Sequence, residues 1–505
     1  MSPISKTSIE ALLRRRALLK LLGGSALAAL LPACGSSEPV MDAASDDDDI
    51  TGDVTRVIII GAGFAGLTAA NALTNAGVDC VVLEARDRMG GRILTADVGG
   101  SAIDLGASWI HGPIGNPMSD FANKARIAHT PADPTDDVAT IRVYDANVGR
   151  ALLLDDVAKA LVDDQKFNNQ EAALLAALGP QSSLKEGVEL FLDRNQPDGE
   201  ARRRAEFTIR LLTETFESGP WQDISFEYEV NSPVDLYQGS DVGDFPVGGY
   251  HGLIEAMAHG AAIDIRLRHR VTRVVRDAGG VRVDVLADVD GNVAAQTLSG
   301  SHVLVTVPLG VLKAGDISFV PELPVSKLGA IQRVGFGIFE KIAMRFPYPF
   351  WETAGGTHLV YLNSNDLLEW PLFLDLQRLS GEPAMIGLCT AKFAASLAAK
   401  SDAEIQARVM AIFSQVYGNS IPAPQAVRLS RWKLDEFTRG SYSYLAVGST
   451  PADMDELARP VEGRLLFAGE HSYVKRYGYA DGALSSGLRE ARRLLRTSSV
   501  TVTAG

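Results

Sequence analysis

A β-branched run, Val57-Ile58-Ile59-Ile60, leads directly into Gly61-Ala62-Gly63-Phe64-Ala65-Gly66, and a helical pattern follows from Leu67. No other stretch constrains the 505-residue chain as much. Gly61 permits a tight turn, Gly63 lets the backbone approach a pyrophosphate, and Gly66 lets helix lie on strand. The helix start offers free N–H groups and the positive end of its dipole to phosphate oxygens. A second apolar strand, Val81-Val82-Leu83, ends on Glu84. An acid roughly 20 residues past the glycines accepts hydrogen bonds from an adenosine ribose. Alone, Gly-x-Gly-x-x-Gly arises by chance in glycine-rich chains. Framed by two strands, a helix and the placed acid, it predicts a dinucleotide-binding βαβ unit.

The next segment, Ala85-Arg86-Asp87-Arg88-Met89-Gly90-Gly91-Arg92, sets two glycines beside arginines. That makes a second close-approach loop, with Arg92 free to pair with phosphate oxygens as a bidentate donor. A nicotinamide enzyme has no need of it. Here the chain resembles FAD-dependent oxidoreductases, and Asp104-Leu105-Gly106-Ala107-Ser108-Trp109-Ile110-His111-Gly112 is similar to the flavin-facing loop of polyamine-oxidase-type flavin amine oxidases. Leu465-Leu466-Phe467-Ala468-Gly469-Glu470-His471, then Gly478-Tyr479-Ala480-Asp481-Gly482-Ala483, resembles the family's closing strand–loop–helix. The likeness runs from about Thr55 to Leu495.

The resemblance implies an α/β fold of two domains. One is a discontinuous, doubly wound FAD-binding domain built from 55–130, 241–310 and 456–497. The other is a mixed sheet-and-helix substrate domain built from 131–240 and 311–455. It further implies that Gly61, Gly63, Ala65, Gly66, Glu84, Ala85, Arg86, Gly91, Arg92, Gly106, Ala107, Ser108, Trp109, Val271, Trp432, Gly469, Glu470, Tyr479 and Ala480 hold FAD. Within that set Glu470 is expected on the ribityl chain, and Val271 meets the adenine through its backbone. Nothing at or near Gly440 is cysteine, so the flavin is expected to be non-covalent.

In Glu340-Lys341-Ile342-Ala343-Met344-Arg345-Phe346, a lysine stands among the apolar residues of a half-buried strand. By resemblance Lys341 is the catalytic lysine, holding a water against flavin N5; the alternative is a strand-end lysine that snorkels to the surface. Tyr479 and Tyr442, by the same likeness, form an aromatic sandwich that takes the neutral amine; ordinary packing is the alternative. His111 either faces the substrate tunnel or caps its loop. Trp109 stands where amino-acid oxidases grip a carboxylate with arginine, which argues against α-amino acids. The implied reaction is oxidation of a primary or secondary amine (a polyamine, diamine or aryl-alkyl amine), with O2 as acceptor. The competing classes are a carbon–carbon desaturase of the protoporphyrinogen-oxidase or carotenoid type, an L-amino-acid oxidase, and a flavin-holding surface lipoprotein without activity.

The first residues read as an address rather than as fold. Arg14-Arg15-Arg16-Ala17-Leu18-Leu19-Lys20 precedes an apolar stretch, Leu21 to Leu31, too short to span a bilayer. Arg15-Arg16 resembles a twin-arginine signal, and Leu31-Pro32-Ala33-Cys34 resembles a bacterial lipobox, with Cys34 the lipidated residue. A plain cleaved signal with an incidental cysteine is the alternative. Residues 1–34 are therefore expected to direct export to the periplasm or cell envelope, with a membrane partner through Cys34. Residues 35–54, with Asp46-Asp47-Asp48-Asp49, are expected as a disordered acidic tether, and 498–505 as a tail. The net charge of −14 makes amine substrates plausible and argues against nucleic acid as a partner; moderate acidity that serves solubility is the alternative, and charge alone does not decide. Of the 3 cysteines, Cys80 and Cys389 stand isolated and make no disulfide framework. No metal-ligand spacing occurs.

Overall fold

The computed structural model describes residues 50–131, 141–195, 199–234, 237, 243–352 and 358–505. Arg15, Arg16 and Cys34 lie outside the described residues. The β-branched run forms the strand Arg56–Ile60 at the centre of a five-stranded sheet. Its neighbours are Asp79–Leu83 and His302–Val305, and the edges are Asp264–Arg266 and Leu465–Phe467, every pairing parallel. Val57, Ile58 and Ile59 are fully buried, because helices and a second sheet cover both faces; hence the run is continuously apolar rather than alternating. Helices Phe64–Asn75, His251–His259 and Ala480–Leu495 close one face in a single apolar cluster. The strands thus come from four distant stretches of chain, and the sheet brings the two ends of the sequence together.

A four-stranded sheet lies against the other face, in the order Asn292–Gly300, Gly280–Val289, His269–Asp277, Ser318–Val320. A bulge between Val271 and Arg273 breaks the register with Gly280–Val289. The parallel pairing to Ser318–Val320 begins only at Arg273, so no strand partners the edge at Val271 that faces away from Gly280–Val289. The third unit is a seven-stranded sheet in which Phe339–Arg345 lies between Ala384–Thr390 and Ala426–Leu429. Helices Leu154–Leu178, Leu184–Asn195 and Gly199–Leu212 form a bundle at its side. The first of them ends at Gly179, whose φ of +91° supplies the stop that Gly179-Pro180 predicts.

Several expectations give way to packing. The tether does not reach residue 54: Ile50 is 6% exposed and Thr51 donates to the Gly463 carbonyl, so the ordered body begins at Ile50. The tail is docked, since Thr503 bonds Asn71 and Gly260, and Val500 and Val502 pack on the core. The segment 311–334, expected with the substrate domain, contributes Ile317, Ala330 and Ile331 to the core on the dinucleotide side. Between the strands Asp264–Arg266 and His269–Asp277, Arg268 with its positive φ of 57° passes the chain from one sheet to the next. The strand His302–Val305 ends where the Thr306 hydroxyl turns back to the Ile60 carbonyl.

Candidate active site

One cavity of about 360 Å³ runs from the glycine turn to the seven-stranded sheet. At the first end, Gly61 adopts φ +108° and its amide donates to the Leu83 carbonyl, which closes the turn. A Cβ on Gly66 would stand 2.1 Å from the Gly61 carbonyl oxygen, whereas one on Gly63 would meet nothing within 4 Å. Gly66 therefore serves the fold, and Gly63 opens on a cradle that a Cβ would fill. Gly91 comes within van der Waals reach of Gly63, bringing the second glycine loop over the first. The Glu84 carboxylate accepts from the amides of Ala62 and Arg86, both at 2.9 Å. Two bonds leave lone pairs on a carboxylate, enough for a ribose diol. Ala65, Ala85 and Val271 line this end, and Arg86 is held by Asp435 at 2.6 Å.

A contrast between glycines gives a first expected result. Gly63→Ala should fold with an unchanged apo-protein melting temperature yet retain ~10-fold less flavin, because the methyl occupies the phosphate cradle. Gly66→Ala should lower the melting temperature itself. Flavin-to-protein absorbance ratios and calorimetry of the apo-protein check both.

Midway, Arg92 and Glu470 meet at 2.7 Å, and the same Arg92 nitrogen reaches the Ser441 carbonyl. Arg92, expected on the phosphates, is half-buried, and Glu470, expected on the ribityl chain, is buried; the two pair with each other. The other Glu470 oxygen accepts from the Ser443 hydroxyl and the Gly478 amide, fixing the loop that carries Tyr479. Burial raises the Glu470 carboxyl, but Arg92 and its hydrogen bonds outweigh this and leave it below its ordinary value. Gly469, Tyr479 and Ala480 line the wall here, at the N-terminus of Ala480–Leu495.

At the far end stand Gly106, Ala107, Ser108, Trp109 and His111. A Cβ on Gly106 would lie 1.9 Å from the Arg92 carbonyl oxygen, so this loop rests directly on the second glycine loop. Lys341 enters from the seven-stranded sheet and is 3% exposed. Its ammonium donates to the carbonyls of Gly106 at 2.7 Å and Asp104 at 3.3 Å and to the Ser108 hydroxyl at 2.6 Å, and lies 4.9 Å from the centre of the Trp109 ring. A lysine has three donors, and all three are used on the loop. These contacts hold the ammonium against the loop 104–108 at the cavity wall. Burial pulls it down to about 8, partly opposed by Asp104.

Tyr442 and Tyr479 both line the cavity. Tyr479 meets His111 edge-on at 5.3 Å; Tyr442 lies 6.2 Å from Phe339 and donates to the Phe216 carbonyl at 2.7 Å. Trp432 lines the wall and donates its indole N–H to the Leu105 carbonyl at 3.1 Å.

Three functional groups have no motif to announce them. Glu340, beside Lys341, turns to the other side of the strand and accepts from the amides of Arg431, Trp432 and Lys433 at 2.7–3.0 Å, which sets Trp432 in place. Glu217 and Glu229 lie on the cavity wall. The Glu217 carboxylate makes no hydrogen bond among the described residues, and burial together with the charge of Glu229 pushes it up to about 8. No cysteine among the described residues lines the cavity, as non-covalent flavin requires.

The cradle, the ribose-ready acid and the loop-on-loop contact fit a flavin dinucleotide. The chain belongs to the flavin containing amine oxidoreductase family, whose profile it matches over residues 64–495. It is 33% identical over 464 residues to lysine-specific histone demethylase 1 homolog 1 of Oryza sativa subsp. japonica, covering 88% of this chain and 52% of that protein. It is likewise 33% identical to polyamine oxidase 5 of the same plant, covering 87% and 88%. The chain spans little more than half the length of its demethylase-type relatives. In fold it is similar to a putrescine oxidase solved with putrescine bound, at a TM-score of 0.68 and 20% identity, covering 88% of this chain and 99% of that one.

Proposed function

We propose that this chain oxidises a primary or secondary amine at the carbon beside nitrogen, giving an imine that hydrolyses to the carbonyl product, with O2 reduced to H2O2. The observation that carries this reading is the acidic wall. Two carboxyl groups, Glu217 and Glu229, face the cavity near each other, and burial together with repulsion from Glu229 raises Glu217. An entering cation relieves that repulsion; an anion adds to it. A bound flavin supplies the two-electron acceptor and its reactivity with oxygen. The residues supply the rest. The acids draw in a diamine, polyamine or aryl-alkyl amine and orient its charged end. Tyr479, Tyr442 and Phe339 exclude water around the reacting carbon. Lys341 places its ammonium by the flavin-facing loop, where negative charge develops after reduction. A desaturase substrate has no use for paired carboxylates.

The test is anaerobic titration of the purified holoenzyme with diamines, aryl-alkyl amines, amino acids and methylated lysyl peptides. Loss of flavin absorbance with a simple amine, and stoichiometric peroxide on readmitting air, is the expected result. A flavin bleached by none of them would leave a binding protein.

The leader reading stands with this as a proposal: export through Arg15-Arg16 and anchoring through Cys34. Replacing both arginines with lysine keeps charge but removes the planar guanidinium pair, and should trap precursor in the cytoplasm. Cys34→Ser should release exported protein from membranes into the soluble fraction; membrane-bound Ser variant would refute the anchor.

A further inference from the structure

Behind the cavity wall a buried cation backs one of its aromatic rings. Arg476 is 2% exposed, and Asp481 grips its guanidinium at 2.6 and 3.0 Å. The same guanidinium carbon lies 4.0 Å from the centre of the Tyr479 ring and 4.8 Å from that of Tyr237. Tyr479 lines the cavity and Arg476 does not, so the cation covers the face of Tyr479 turned away from substrate. The arrangement is built in: a Cβ on Gly482 would stand 1.9 Å from the Arg476 carbonyl oxygen, so only glycine lets this turn close on the helix start. Asp481 meets the guanidinium at its edge, leaving the positive end of the pair against the ring.

An aromatic face attracts cations through its quadrupole, and a cation already on one face opposes a second on the other. We infer that the Arg476–Asp481 pair makes the cavity face of Tyr479 receive the reacting amine as free base and disfavour its ammonium. This rests on the amine-oxidation reading and adds to it the pair that sets which protonation state Tyr479 receives. Arg476 is a positioning residue that acts through Tyr479. The other groups around that ring are His111 at its edge, the hydroxyls of Tyr442 and Tyr477, and Glu470, which holds the Gly478 amide at 2.8 Å. The cavity is then polarised: Glu217 and Glu229 take charge at one pole, and Tyr479 takes a neutral nitrogen at the other.

The test uses holoenzyme and two unreactive probes, benzyltrimethylammonium and its uncharged tert-butyl isostere, titrated by perturbation of the flavin spectrum. In Arg476→Gln the quaternary probe should bind ~5-fold more tightly while the isostere changes less than ~2-fold. The acid limb of kcat, which reports the amine bound in the complex, should move to higher pH, because the bound ammonium is no longer disfavoured. Arg476→Lys keeps the charge and should restore the wild-type ratio of the two affinities. Because Arg476→Gln leaves Asp481 buried without its partner, the double variant Arg476→Gln/Asp481→Asn removes both charges and must show the same change in ratio. An unchanged ratio in both variants overturns the inference. A wild-type enzyme that no amine reduces would overturn the amine-oxidation reading instead, and the probe ratio, which needs no turnover, would still report on Arg476.

Discussion

Lys341→Met should slow reoxidation of the reduced holoenzyme by oxygen at least ~10-fold while leaving FAD bound and anaerobic reduction nearly intact. Methionine keeps the length of the side chain in a strand whose neighbours Ile342 and Ala343 are fully buried. What it removes is a positive charge beside the flavin-facing loop. It also frees the Gly106 and Asp104 carbonyls and the Ser108 hydroxyl from their donor. The loop still rests on Arg92 through the close contact at Gly106, so its position survives. Stopped-flow mixing of reduced enzyme with oxygenated buffer measures the effect. A Met variant that reoxidises at the wild-type rate would remove Lys341 from the oxygen reaction.

The same residue sets a pH dependence. Burial lowers Lys341 to about 8, so its ammonium is fully present below that pH and is lost as pH rises through it. The wild-type reoxidation rate should therefore fall with rising pH around 8, and the Met variant should show no such step.

The dinucleotide half of the fold was legible because its signal is local. Strand, glycines, helix and acid lie within one stretch, and Gly66 answers to the carbonyl of Gly61 five residues before it. Lys341 could be found because a charge inside an apolar strand stands out. Its neighbour Glu340 was not read, since periodicity does not say which side of a doubly buried strand a charge faces or what waits there; its partners are amides about 90 residues away in sequence. Glu217 and Glu229 sit at helical segments where acids ordinarily face solvent, and only the packing of the helical bundle against the loop around Tyr442 turns them inward. Arg476 and Asp481 are five apart across a 3₁₀ turn and a helix start, a spacing no regular element would put together. The alternation of Val500 and Val502 with threonines was the one available hint that the tail docks.

An amine lacking a carboxylate should exceed its α-amino-acid counterpart in kcat/KM by ~100-fold, because a carboxylate in this cavity would be both unpaired and repelled. The cations near the wall are already committed. Arg92 is bound to Glu470 and the Ser441 carbonyl, Lys341 to the loop 104–108, and Arg476 to Asp481 behind the ring. Trp109 lines the cavity and its ring packs on Phe245 at 5.3 Å, so this position supplies no cation. Glu217 and Glu229 line the same space with carboxyl groups and supply it no cation. Glu217→Gln separates the two causes. It removes the repulsion but supplies no cation, so the amino acid should gain only a few-fold while a diamine loses ~10-fold or more in kcat/KM through KM. Steady-state peroxide assays on matched pairs, each amine beside its α-carboxylated form, decide the matter. An L-amino acid that outperforms every simple amine would place a carboxylate-binding group in this cavity and overturn the acidic-wall reading of the site.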